Sequence, residues 1–94
     1  MKFEWHGTKA SANHRKHGVT FDEAATVFAD PLSHAFLDPD HSEDETRFLI
    51  IGMSAAGRIL VVSHTERRER IRIISAREAT RKERIFYEEN RQSP

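Results

Sequence analysis

Two nearly continuous apolar runs, Arg47-Phe-Leu-Ile-Ile-Gly-Met53 and Arg58-Ile-Leu-Val-Val-Ser-His64, stand out in an otherwise polar chain. Ser54-Ala-Ala-Gly57 joins them, a connection of hairpin length with glycine available for positive φ, so the pair reads as two antiparallel strands. Their unbroken apolar character predicts central strands with both faces covered at least in part. Phe3 and Trp5 alternate with Lys2 and Glu4, which suits a short strand with one buried face. His34-Ala-Phe-Leu37 reads as another short strand before a polar loop over 38–44. A turn at Glu66-Arg-Arg-Glu69 leads into a further strand, Arg70–Ser75.

Helical signals fall at both ends of this strand run. Thr8 is placed to cap a helix through about His17, with Gly18 as the left-handed residue that ends it. Only Ala10 and Ala12 are apolar in it, while Lys9, Asn13, Lys16 and His17 recur at helical spacing, so its own burial is not what mainly holds it. Thr20 and Glu23 form a capping box for a second helix, with Val19 and Ala24 as a hydrophobic staple; Ala24, Ala25, Val27 and Phe28 supply its stripe, and Pro31 ends it at Asp30. Ser75 and Glu78 make a similar box for a last helix. The order is therefore β-α-α-β-β-β-β-α. This predicts one α+β domain over residues 1–94, an antiparallel sheet of about four to five strands with two N-terminal helices and one C-terminal helix.

Charge changes the picture more than composition does. The net charge is zero, yet residues 1–20 carry +3, residues 21–54 carry −7 and residues 55–94 carry +4. A uniformly basic nucleic-acid binder is excluded, and any affinity for RNA or DNA has to come from a local patch. The acidic run His41-Ser-Glu-Asp-Glu45 reads as a solvated loop or as a lure for a basic partner. With no cysteine there are no disulfides or zinc–thiolate sites, which fits a cytoplasmic protein. No apolar run approaches the roughly 18 residues of a membrane span, and Met-Lys-Phe-Glu-Trp lacks the apolar core of a signal peptide.

Candidate chemistry concentrates near the C-terminus. In the strand from Arg70 the period of two puts Ile71 and Ile73 on one face and Arg70, Arg72 and Ile74 on the other. In the helix expected to follow, Arg77, Arg81 and Arg84 recur on one face with Glu88 continuing the row. Such guanidinium groups either clamp phosphates bidentately or form a solvated face laced by helical ion pairs. Six histidines show no pair at the i,i+4 spacing of a helical zinc site, so no metal is expected; His17 and His64 are candidates for acid–base work. No phosphate-binding glycine loop, serine elbow or dinucleotide fingerprint occurs, and no cofactor is expected.

Phe3-Glu-Trp-His, Lys9-x-x-x-Asn13-x-x-Lys16-His-Gly-Val-Thr-Phe-Asp-Glu-Ala24, Val27-Phe-Ala-Asp-Pro31, Glu45-Thr-Arg47, Gly52-Met-Ser and Arg72-Ile-Ile-Ser-Ala-Arg77-x-Ala79-x-x-x-Glu83-Arg84-x-x-Tyr87 occur in this order along nearly the whole chain. Together they resemble the BrnT toxins of type II toxin–antitoxin systems. His6 departs from the pattern: many relatives have an aspartate after the tryptophan, and no role of that aspartate transfers. The resemblance implies a small RelE-like fold, a ribonuclease that slows translation, and a BrnA antitoxin whose ribbon-helix-helix domain binds operator DNA, so that DNA is contacted only indirectly. A dimer of the toxin within a heterotetramer would fit such a complex, and no membrane is involved. Metal-free RNA cleavage needs a base for a 2′-hydroxyl, an acid for the leaving oxygen and cations for the phosphate. Glu83 or His17 is the candidate for proton transfer and Arg72 and Arg77 for the phosphate. Lys9, Lys16, Arg81, Arg84 and Tyr87 are candidate RNA contacts. Lys16 and His17 also suit a helix C-terminus on electrostatic grounds, and Tyr87 could equally pack against the sheet. This places a basic groove between the first and last helices.

Overall fold

The hairpin expected from the two apolar runs forms the centre of the sheet. The computed structural model describes residues 1–39 and 45–91, with β1 Lys2–Glu4, α1 Gly7–His17, α2 Phe21–Thr26 continuing into a 3₁₀ turn Val27–Ala29, β2 His34–Leu37, β3 Arg47–Met53, β4 Ile59–Arg67, β5 Arg70–Glu78 and α3 Arg81–Arg91. The strand order is β1-β5-β4-β3-β2. Strands β2 to β5 form an antiparallel meander, whereas β1 lies parallel to β5, so the sheet is mixed. Gly57 takes φ +83° in the β3–β4 connection. The acidic segment 40–44 lies outside the described residues.

Side-chain alternation divides the core into two layers. Ile50, Leu60, Val62, Ile73 and Ala76 point to one side, where they bury Val19, Phe21, Ala24 and Val27. Ile51 and Val61 point to the other, against Ala79 and Tyr87. The N-terminal helices therefore pack on one face of the sheet and α3 on the opposite face. Gly52 permits close approach of the 3₁₀ turn: a Cβ there would meet Ser33 Cβ and Val27 Cγ1 at 2.9 Å.

Local signals fare unevenly. Thr20 Oγ1 accepts from Glu23 N, as expected, but the Glu23 carboxylate turns to Ser54 and Arg58 instead of closing the box. Gly18 is left-handed at φ +69°. Helix α1 starts one residue before Thr8, with His6 as an N-cap that makes no side-chain bond. It is attached through Asn13, whose amide donates to Ala76 O (2.8 Å) and Val19 O (3.0 Å) and accepts from Ala76 N (3.0 Å). β1 pairs with β5 only over Arg70–Arg72, so further along that edge Asn13 supplies the bonds a strand would have made.

The largest departure concerns Ser75. Instead of capping a helix it pairs with Ser63, and β5 runs on to Glu78 beside the nine-residue β4. The capping box lies one step later: Glu83 N donates to Thr80 Oγ1 (3.2 Å) and Thr80 N to Glu83 Oε1 (2.8 Å). Arg77 is thus a strand residue and not the first of a helical row with Arg81 and Arg84. The strict alternation expected along β5 also fails, because an irregularity opposite Ser63/His64 inserts Ile74 and lets Ile73 and Ala76 enter the same layer.

Candidate ribonucleolytic face of the sheet

Residues paired directly across a ladder share a face, so the register identifies what lies on the α3 side. Arg47 opposes Thr65, Thr65 opposes Arg72, Arg67 opposes Arg70, and Val61, which packs beneath α3, opposes Arg77. β1 adds Lys2 opposite Arg70 and Glu4 opposite Arg72. Helix α3 covers only the Ile51–Val61 end. Arg47, Arg67, Arg70, Arg72, Arg77 and Lys2 therefore share one face, with Glu4 the only carboxylate among these strand positions. Such an excess of cations over a low-dielectric sheet focuses a positive potential where a polyanion would lie.

Arg77 and Glu83 are the most tightly organised pair there. Both guanidinium Nη atoms of Arg77 donate to Glu83, at 2.7 and 3.0 Å, while the capping bond from Thr80 N fixes the carboxylate. The Arg77 guanidinium is the main reason the Glu83 carboxyl titrates at about 2 and not near 4.5; burial opposes that shift and the Thr80 bonds add to it. The Arg77 pKa is raised, first by the same bond. Further along β5, Arg72 Nη1 donates to Glu4 Oε2 at 3.0 Å, and Arg70 lies 4.0 Å from the other Glu4 oxygen. Arg67 pairs with Glu45 at 3.1 Å.

Acid sensitivity follows from the Glu83 pair. Its folded pKa lies below the unfolded one, so it contributes stability that is present above about pH 5 and is lost as pH falls towards about 2. Glu23, lowered chiefly by its hydrogen bond to Arg58, adds in the same direction. Thermal melts across that window should show a shallower acid decline for Glu83→Gln than for the unsubstituted protein; equal declines would contradict the Arg77–Glu83 geometry.

The remaining candidates separate. Lys9 and Lys16 are exposed and His17 half-buried on α1, which docks on the β5 edge through Asn13 and packs through Ala10 in the layer opposite α3, so the first and last helices do not wall a common groove. Among the described residues no hydrogen bond or ion pair joins Lys16 or His17 to Arg72, Arg77 or Glu83. Tyr87 is only 1% exposed and donates its hydroxyl to Asp30 Oδ2, which also accepts from Met53 N, while Asp30 Oδ1 accepts from Leu32 N. It is a packing residue, and its ring has no free face for a base. Arg81 and Arg84 are exposed on the first turns of α3, with Arg84 donating to Ala79 O at 3.2 Å. His64 is 3% exposed between Phe28 and Phe48, and burial lowers its pKa, which removes it from acid–base chemistry with a substrate. Among the described residues no three His, Asp or Glu side chains converge as metal ligands would. The sequence reading missed Arg47, Arg67 and Glu4; the register that joins them to Arg72 has no local signature.

A family model described as ribonuclease toxin, BrnT, of type II toxin–antitoxin system matches residues 5–83. The 1.1 Å crystal structure of the Brucella abortus ribonuclease toxin, BrnT, aligns with a TM-score of 0.63 at 25% identity, covering 86% of this chain and 99% of that one. A search of curated proteins finds no match. Since the family match spans most of the chain and the solved structure shares its α+β fold, the chain belongs to the BrnT family of ribonuclease toxins of type II toxin–antitoxin systems.

Proposed function

We propose that this chain is an endoribonuclease that cleaves RNA without a metal ion on the open arginine face of its sheet. The supporting observation is the convergence of Arg72 and Arg77 with four further cations on one exposed surface. Arginine suits this task because its fork binds a phosphate through two charge-assisted bonds, supplying the charge that a metal ion supplies elsewhere. About five residues separate Arg72 from Arg77, roughly 15 Å along an extended strand, which leaves room for more than one phosphate.

At rest the fork of Arg77 is filled by Glu83. A phosphate arriving there competes with that carboxylate for the same N–H groups. As Glu83 loses its partner it regains proton affinity and becomes a better acceptor for the 2′-hydroxyl proton. The 2′ oxygen then attacks phosphorus, a cyclic phosphate forms as the bond from phosphorus to the 5′ oxygen breaks, and that oxygen leaves with a proton taken from water. Arg77 would hold the charge that grows on that phosphate, and Arg72, positioned by Glu4, would hold a neighbouring phosphate of the same strand. Lys9, Lys16 and His17 take no part in this scheme, since Arg72, Arg77 and Glu83 pair with one another or with Glu4 and not with α1.

In the cell this activity would slow translation in the cytoplasm, and a BrnA-like antitoxin with a ribbon-helix-helix domain would neutralise it, with two toxins in a heterotetramer. The occupied fork of Arg77 favours a second reading, in which the chain binds RNA or its antitoxin without cleaving. Incubating the purified protein with RNA in excess EDTA separates the two. Cleavage that resists the chelator and leaves cyclic phosphate ends is expected; RNA that is bound at low salt but stays intact would establish the silent module.

A further inference from the structure

The arginine face continues into a different kind of surface. Between α3 and the edge strand β2 lies a groove of about 390 Å³ walled by Phe36, Leu49, Ile51, Val61 and Phe86. Phe36 and Phe86 are 44% and 39% exposed and meet edge to face with ring centroids 6.2 Å apart. Ile85 beside them is also exposed. Neighbouring exposed rings of this size on a small domain mark a place where another molecule sits.

Charge and continuity indicate which molecule. Lys82 lines the groove, and Arg81 and Arg84 are exposed on the same turns of α3. The one carboxylate in that run, Glu83, is already neutralised by Arg77. The groove therefore has an apolar floor, with Lys82 as the cation on its rim and further arginines nearby on α3 and on the sheet. Leu49 lies two residues from Arg47 on the same face of β3, so the groove opens onto the arginines. Glu83 belongs to both, since it lines the groove while holding Arg77.

We propose that this groove is where the antitoxin docks, through a segment that seats bulky apolar side chains between Phe36 and Phe86 and lays carboxylates along the cationic rim and onto the arginine face. The proposal rests on the toxin reading above and adds its mode of neutralisation. Docking there covers Glu83 and blocks the approach of RNA to Arg77. RNA matches the cations but not the floor: Leu49, Ile51 and Val61 are aliphatic and favour aliphatic or aromatic side chains over a phosphate-bearing strand. A segment that satisfies both floor and rim is an acidic, apolar peptide.

Phe86→Asp and Phe36→Asp test this, because both side chains are partly exposed and circular dichroism can verify that each variant keeps its fold. The probe is a purified BrnA-like antitoxin with a ribbon-helix-helix domain, the partner named in the proposed function. Binding should weaken about tenfold or more in each variant, while RNA cleavage without antitoxin stays within about twofold of the unsubstituted protein and escapes inhibition. Variants that are bound and neutralised as before overturn the proposal. So does loss of RNA cleavage with antitoxin binding intact, which would make the rings a base-stacking site, and so does an unsubstituted protein that binds no such antitoxin. If the unsubstituted protein fails to cleave RNA yet the variants lose the antitoxin, the docking site stands and the ribonuclease reading falls.

Discussion

Arg77→Ala should cut the rate of RNA cleavage by about 10²–10³-fold, the usual loss when a charge-stabilising donor is removed from a developing phosphorane. The loss should appear with little unfolding. Arg77 and Glu83 are both about a third or more exposed, and a pair of that kind contributes only about 0–1 kcal/mol to stability. Glu83 also keeps its capping bond from Thr80 N, so the start of α3 survives. Arg77→Lys should recover only part of the rate, since a single ammonium cannot reproduce the two-pronged geometry that the Glu83 contact displays. Arg81→Ala is the matching control: Arg81 stands on α3 outside the strand register that gathers the other arginines, and its loss should weaken RNA binding without abolishing turnover. Single-turnover cleavage of one labelled RNA by these three variants, with thermal melts alongside, measures all of it.

Asn13→Ala should damage the fold severely for a substitution at a polar residue. Asn13 is 7% exposed and its amide satisfies three buried backbone groups, the N–H and C=O of Ala76 and the C=O of Val19. Alanine leaves all three without a partner, at a cost of about 1–3 kcal/mol for each group that water does not reach. A loss of roughly 3 kcal/mol corresponds to a fall in Tm of roughly 10–20 °C for a domain of this size. It is also a large share of the 5–15 kcal/mol that such domains possess. Because α1 has little apolar surface of its own, it should detach, expose the β5 edge and promote aggregation. Urea unfolding checks the energy, and a loss below about 1 kcal/mol would mean that the edge finds other partners.

What the sequence disclosed was local. Thr20 as a cap, Gly18 as a left-handed terminator and Gly57 in a hairpin are set by residues within a few positions of each other, and each was legible for that reason. The start of α3 was not. Two Ser/Thr-x-x-Glu boxes follow one another, Ser75 to Glu78 and Thr80 to Glu83, and local chemistry is satisfied by either. Pairing with β4 decides between them, since an early helix would leave Leu60, Val61 and Val62 without their partners on β5.

The same limit hid most of the candidate site. Arg72 and Arg77 could be singled out from their sequence context, but Arg77 was placed in a helix beside Arg81 and Arg84. Its ladder partner is Val61 on β4, and the cations that share its face come from β1, β3 and β4 as well as β5, which no window of sequence contains. The one-residue irregularity at Ile74 also decides which way Arg77 points, and nothing in the alternation of β5 announces it. Nor does the chain declare on which side of a sheet a helix will pack. That choice packs α1, with Lys16 and His17, against the layer opposite α3 and the β5 edge, and leaves the arginines to the α3 side.

That separation is also where the account is most exposed to test. Cleavage of the same RNA should be compared for Arg72→Ala, on the arginine face, and for Lys16→Ala and His17→Ala on α1. The account predicts that the rate falls at least about tenfold for Arg72→Ala and stays within about threefold for the two α1 variants. If either α1 variant abolishes cleavage while Arg72→Ala leaves it intact, the active surface lies on the other side of the sheet and the account is wrong.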